Sequence, residues 1–220
     1  MKREILFFLI ITLLFLIGCN NQIKERKTDK VITTNIENME WTTTNLKTLT
    51  YRNGDSISDF DMFILREDNS LEILEVFYNW TAVSDVRGLA PHGFHIPEIR
   101  EWQLLEKKIG EGAKQKLKSR QGWNDSEFGG NGTDDYGMNI YSLGWASRSN
   151  SKYEDKNHYN DLAYKFIDLR GEIAYFWTSP PIYSVTTKAT VITFRNDENG
   201  FRYDFVEPSH YFSIRLVKDY

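Results

Sequence analysis

Cysteine is nearly absent from this chain, which has one among its 220 residues, Cys19. A single thiol excludes an internal disulfide, and it also excludes a metal site built from several thiolates. Basic residues are not in excess either, because 27 lysines and arginines stand against 31 acids, a net charge of −4. Nucleic-acid binding, which needs a basic surface, is therefore not expected.

Motifs that mark common enzyme classes are also missing. The sequence has no P-loop, no dinucleotide-binding glycine pattern, no zincin helix and no nucleophile elbow. His92 and His95 have the spacing of a metal-binding pair, but no third ligand is identifiable. We therefore predict no metal site, no cofactor and no catalytic residues.

The first 19 residues are organised like a bacterial lipoprotein signal. Two basic residues precede the mostly apolar residues 5–17, and Gly18-Cys19 follows. Thirteen helical residues extend roughly 20 Å, short of the ~30 Å hydrocarbon core of a bilayer, which favours a cleaved signal over a permanent span. Residues 1–18 are thus predicted to be the signal peptide, and Cys19 the lipidated anchor to the cell envelope. An uncleaved helix, or a plain signal peptide with an incidental cysteine, is the alternative.

Composition divides the rest of the chain into two parts. Residues 19–35 are polar, with few side chains that a core could bury, and we expect a flexible tether there. Residues 36–220 are rich in aromatic side chains and contain all six tryptophans. This length suits one domain, and no repeat of fixed period divides it.

Local patterns in this domain predict an α+β fold. Residues 97–109 have proline first, acids early and lysines late, and Gly110 follows, as at the ends of a helix. A second, short helix is predicted at 113–119. Residues 189–194 and 201–206 are predicted to form a hairpin, and residues 211–217 a further strand with one apolar face.

Five short sequence blocks are informative because of their order along the chain. They read FYNWTAV at 77–83, RGLAPHGFHIP at 87–97, KLK at 116–118, FWTS at 176–179 and FSIRLVKD at 212–219. In this order they resemble the Fibrobacter succinogenes major paralogous domain, which is common in bacterial surface lipoproteins. The resemblance extends from about residue 39 to residue 219.

The resemblance implies a C-type-lectin-like fold, with antiparallel strands, one well-marked helix and long loops. Two cysteines of the family's blocks are replaced here by Ala90 and Leu216. Their joint absence suggests that they bond to one another in relatives, so we expect these two positions to lie close together. The fold is shared with formylglycine-generating enzymes, which work through cysteines that this domain lacks.

Single features of lectins are weaker guides. Trp123-Asn124-Asp125 matches one triplet of calcium-dependent lectins, and Glu207-Pro208-Ser209 faintly resembles a second, but the two occur in reversed order. Calcium also needs six to eight oxygens from converging loops. We expect Trp123 to pack in the core instead. Most other tryptophans also lie in the family's blocks, which favours core packing over a sugar-stacking surface.

The sequence therefore predicts a non-enzymatic, lipid-anchored envelope protein, expected at the outer membrane, that binds a glycan or an envelope protein. The polar loop 150–161, with Tyr153, His158 and Tyr159, is the predicted ligand-binding segment. One alternative is a hydrolase of envelope glycans with a pair of carboxylates on its loops. The other is a structural or accessory lipoprotein.

Overall fold

The domain begins with a tight hairpin of strands β1 (Thr33–Ile36) and β2 (Met39–Thr42). Its two turn residues, Glu37 and Asn38, have φ angles of 52° and 68°, as a type I′ turn requires. The first three residues of β1 lie inside the segment 19–35 that the sequence predicts to be a tether, so regular structure starts earlier than expected. Their composition misleads because they are polar and at least partly exposed, on a short edge strand.

The structure is a computed structural model that describes residues 31–66, 72–148, 164–167, 169–179, 189–198 and 200–220. Residues 32–220 form one compact unit. Its helices are α1 (Trp80–Val83), α2 (Ile99–Ile109) and α3 (Ala113–Leu117). The strands after β2 are β3 (Met62–Arg66), β4 (Ile73–Tyr78), β5 (Phe94–His95), β6 (Trp145–Arg148), β7 (Tyr164–Ile167), β8 (Ile173–Trp177), β9 (Ala189–Arg195), β10 (Arg202–Val206), β11 (His210–Tyr211) and β12 (Val217–Lys218).

These strands form four small sheets in which neighbouring strands are antiparallel. The strand orders are β1-β2-β12-β5, β10-β9-β8, β11-β6-β7 and β3-β4. The fold is thus α+β and mainly antiparallel β, which confirms the predicted class at this level. Over the described residues, no helix combines the length and the apolar character that crossing a bilayer demands.

Helix α2 confirms the strongest local prediction of the sequence. It begins at Ile99, two residues later than expected, because Glu98 is its N-cap and forms a capping box with Glu101. Gly110 ends it with a φ of 74°, a conformation that glycine adopts without strain. Trp102, Leu105 and Ile109 are buried on one face of the helix, whereas Ile99 is only half-buried.

The predicted hairpin near the C-terminus is also confirmed. Strands β9 and β10 pair antiparallel, from Ala189 opposite Val206 to Thr193 opposite Arg202. The side chains of β9 from Ala189 to Phe194 are all buried, including the two threonines. Both faces of this central strand are covered, because Ala189 and Val191 pack in one hydrophobic cluster and Ile192 and Phe194 pack in another.

The prediction of one continuous strand over residues 211–217 is wrong. These residues, together with Lys218, form what we term the C-terminal segment, and its only strand residues are the last residue of β11 and the two residues of β12. Successive residues pair with different neighbours: Phe212 with Tyr78, Ser213 with the N–H of Trp177, Ile214 with the N–H of Leu46. No single partner strand runs alongside, and every side chain from 211 to 217 is buried. The segment thus runs through the interior of the domain instead of along one sheet.

Aromatic side chains fill the core, as the positions of the tryptophans predict. Trp102 is fully buried, with its ring centroid 4.5 Å from that of Trp41 and 5.8 Å from that of Phe176. Trp123 and Trp177 are buried as well. These rings are therefore unavailable to stack on a ligand at the surface.

Ala90 and Leu216, the positions at which the resemblance implies cysteine in relatives, are both buried in one hydrophobic cluster. That cluster also holds Tyr78, Trp177 and Phe212. Packing holds this part of the domain together where the family's cysteines are missing. That the Cβ atoms of these two residues lie close enough for a disulfide to bridge them stays a prediction.

Truncation of Trp102 tests how much stability this packing provides. Trp102→Ala should lower the free energy of unfolding by about 3–5 kcal/mol, because it removes a buried ring and leaves a cavity. Leu104→Ala is the matched control, since Leu104 lies on the same helix with 39% of its side-chain surface exposed, and it should lower that free energy by less than about 1 kcal/mol. Chemical denaturation of the three proteins measures both values. Equal stability of the two variants would contradict the core role of Trp102.

Candidate functional site

The ligand-binding residues predicted from sequence, Tyr153, His158 and Tyr159, lie outside the described residues, as does Cys19. The candidate site consists of other residues, among them two charged side chains that the fold buries.

His95 is held between two acids and is not paired with His92. Its Nδ1 lies 2.7 Å from Oδ1 of Asp219, and its Nε2 lies 3.0 Å from both carboxylate oxygens of Glu101. The hydrogen bond to Glu101 raises the pKa of His95 most, and the hydrogen bond to Asp219 raises it further. The ring therefore joins helix α2 to the C-terminus. Among the described residues, no three histidine, cysteine or acidic side chains are grouped as a metal ion would require.

Trp123, the first residue of the lectin-like triplet, packs in the core as expected. Its side chain is 4% exposed, and its indole N–H donates to the carbonyl of Ile140 at 2.9 Å. Its backbone N–H donates to the side chain of Asn131. The ring of Trp123 also lies under the ammonium of Lys118, 4.0 Å from the ring centroid. Its contacts are thus those of a structural residue.

Glu75 and Arg215 are the two charged side chains that the fold buries beside a pocket. Tyr78 of β4 pairs antiparallel with Phe212. Glu75 precedes Tyr78 by three residues, Arg215 follows Phe212 by three, and both side chains line the same pocket. Glu75 is 3% exposed and Arg215 is 2% exposed.

The Asn45 side chain connects these two charges. Its Nδ2 donates to Oε2 of Glu75 at 3.0 Å, and its Oδ1 accepts from Nε of Arg215 at 2.6 Å. The carboxyl of Glu75 also accepts a long hydrogen bond, 3.3 Å, from the N–H of Val76. The Asn45 amide can satisfy both neighbours at once because it carries a donor and an acceptor.

Arg215 uses its other N–H groups on backbone carbonyls. It donates to Thr42 at 2.7 Å, to Met138 at 2.8 Å and to Asn139 at 3.1 Å. Asn139 has a φ of 54°, a left-handed conformation that asparagine tolerates better than most residues. The guanidinium thus fixes the position of two segments that are distant in sequence.

Burial changes the proton affinity of both charged groups. Desolvation raises the pKa of Glu75 from 4.5 to about 7, although the hydrogen bond from Asn45 and the charge of Lys47 act in the opposite direction. Desolvation lowers the pKa of Arg215 to about 10. At neutral pH the arginine is therefore charged, while Glu75 is close to the middle of its titration.

The pocket above these groups, which we term the Glu75 pocket, has a volume of about 230 Å³. Polar side chains form its floor and part of its rim, and Leu74, Tyr141 and Leu143 supply apolar surface. Its lining residues are Thr43, Thr44, Asn45, Lys47, Leu74, Glu75, Asn139, Tyr141, Leu143 and Arg215. The other seven lining residues are polar or charged, so the pocket offers mainly hydrogen-bonding groups beside a smaller apolar surface.

Local sequence patterns do not predict this site, although two charged residues stand out within apolar runs. Glu75 interrupts an apolar run at 73–78, and Arg215 interrupts another at 211–217. An alternating strand pattern places such residues on the solvent side. A charge inside an apolar run also fits a buried functional group, but only the contacts between the two runs distinguish these interpretations.

The pH dependence of folding tests the environment of Glu75. Because its pKa is higher in the folded protein, this carboxyl stabilises the fold fully below pH 4.5 and ceases to do so as the pH rises through about 7. Glu75→Gln removes the titration and keeps an acceptor for Asn45. Relative to wild type, the variant should gain about 2–3 kcal/mol of unfolding free energy between pH 5 and pH 8.

Denaturation curves at the two pH values measure this difference, in which the titration of His95 cancels. Glu111→Gln, at an exposed position, should follow the wild-type profile. Parallel profiles for wild type and Glu75→Gln would show that Glu75 is ionised over the whole range.

Comparison with known proteins identifies the family. The family model of the Fibrobacter succinogenes major domain matches residues 34–218. No curated protein and no solved structure matches the chain at a significant level. The match covers all but the first residue of the hairpin at the start of the domain, both residues of the buried charge pair and the whole C-terminal segment. The chain therefore belongs to the Fibrobacter succinogenes major domain family.

Proposed function

We propose that this protein is a lipid-anchored component of the bacterial cell envelope, expected at the outer membrane, whose domain binds a ligand without transforming it. The domain is proposed to be a C-type-lectin-like variant, in line with its mixture of small antiparallel sheets and few helices. The ligand is a glycan or an envelope protein. The single observation that carries the binding role is the Glu75 pocket, with its fixed polar floor.

A hydrolase is the competing function, and one observation favours it. A glutamate with a pKa of about 7 has the proton affinity of a general acid or base near neutral pH. Glycoside hydrolysis usually needs a second carboxyl group roughly 5–10 Å away. Glu75 is the one acid among the ten residues that line the pocket. Binding is therefore the better supported role.

A glycan array with the full chain in detergent micelles distinguishes the two functions. Binding predicts retention of the protein on particular glycans and no release of reducing ends from the same glycans in solution. Glu75→Gln should weaken retention by at least about tenfold, because hydrogen bonds to a charged group contribute about 1.5–3 kcal/mol. Glu111→Gln should change nothing. Release of reducing ends that Glu75→Gln abolishes would establish a hydrolase instead.

The anchor is tested separately through Cys19. Cys19→Ala should release or mislocalise the protein and abolish incorporation of radiolabelled palmitate, because the rest of the mature sequence offers no comparably long apolar stretch. The domain itself should unfold at the wild-type temperature. Membrane fractionation of the variant identical to that of wild type would contradict lipid anchoring at this residue.

A further inference from the structure

Unused hydrogen-bonding capacity remains at the floor of the Glu75 pocket. The carboxyl group of Glu75 accepts two hydrogen bonds, from Asn45 and Val76, whereas a carboxylate has room for about four. Arg215 has five N–H groups and, within the described residues, places four of them on Asn45, Thr42, Met138 and Asn139. An acceptor with spare positions next to a donor with one spare N–H suits hydroxyl groups, since a hydroxyl both donates and accepts.

The apolar wall and the size of the pocket narrow the range of hydroxyl-bearing ligands that fit. Leu74, Tyr141 and Leu143 present carbon surface beside the polar floor, which suits the C–H face of a ring that carries hydroxyls. The volume of about 230 Å³ lies below the ~300–1,000 Å³ of sites for drug-sized molecules. The pocket therefore has room for about one sugar unit.

The charge of the pocket points to an acidic ligand. Two cations, Arg215 and Lys47, and one carboxyl, Glu75, line it, so the pocket has a net positive charge in a chain with a net charge of −4. Lys47 is exposed. Its charge acts on the pKa of Glu75, yet within the described part of the chain its ammonium takes part in no ion pair. A ligand carboxylate would supply the missing partner of this ammonium.

On the basis of the binding function proposed above, we propose that the Glu75 pocket binds an acidic sugar unit. Hydroxyls of the ring meet Glu75 and Asn45 on the floor, its C–H face packs on Tyr141, and its carboxylate pairs with Lys47 at the rim. Glu75 provides the hydrogen bonds common to all sugars, whereas Lys47 provides the preference for an acid.

Two matched probes test this assignment: methyl β-glucuronide and methyl β-glucoside, which differ in the carboxylate. Isothermal titration of the full chain in detergent micelles should show about fivefold tighter binding of the glucuronide, the value of a good exposed ion pair. Lys47→Gln should remove this preference, so that the variant binds the two probes with equal affinity. Lys47→Arg, which keeps the charge, should keep the preference. Glu75→Gln should weaken the binding of both probes by about tenfold.

Equal affinity of the wild type for the two probes, or a preference that survives Lys47→Gln, would overturn the acidic-sugar assignment and leave the general binding function intact. Failure of the wild type to bind either probe would overturn it as well. Failure of the proposed function looks different: the full chain would then bind nothing on the glycan array, or would cleave what it binds. Lys47→Gln alters an exposed side chain, and a thermal melt equal to that of wild type shows that a changed affinity comes from the pocket.

Discussion

The buried guanidinium of Arg215 is the interaction on which the rest of this domain depends. Taking a cation out of water costs several kcal/mol unless hydrogen bonds replace its hydration. Here Arg215 replaces its hydration with four hydrogen bonds, which it donates to the side chain of Asn45 and to the carbonyls of Thr42, Met138 and Asn139. A side chain near the end of the chain thus fixes the segment that follows the first hairpin and the loop that precedes β6. Removal of the guanidinium would leave three carbonyls without their donor.

The same constraint creates the candidate site. The C-terminal segment crosses the interior, where Phe212, Ser213 and Ile214 pair with three different neighbours, and Arg215 is buried directly after them. Asn45 connects the two charges, and the shared environment leaves Glu75 desolvated next to an open pocket. The network that holds these segments together therefore also lines the candidate site. The domain has no disulfide and relies in addition on aromatic packing around Trp102 and Trp177.

Sequence patterns predicted the local elements well, because their causes are local. Capping and apolar spacing define α2 within one or two residues, and alternation defines the hairpin of β9 and β10. The ordered motifs identified the family before any contact was known. The C-terminal segment was mistaken for one strand because alternation describes a strand with one partner, and this segment has several. The Glu75 pocket was missed since burial of Glu75 and Arg215 depends on contacts between residues 140 positions apart, which no local pattern encodes.

Substitution of Arg215 by lysine tests the central role of the guanidinium most directly. Lysine keeps the charge, but one ammonium cannot reproduce a planar group that reaches an amide and three carbonyls. Denaturation of the full chain should show that Arg215→Lys lowers the free energy of unfolding by about 3–5 kcal/mol. Arg100→Lys, whose arginine side chain is 76% exposed, should match wild type within about 0.5 kcal/mol. If Arg215→Lys were as stable as Arg100→Lys, the hydrogen bonds of the guanidinium would not be what holds this domain together.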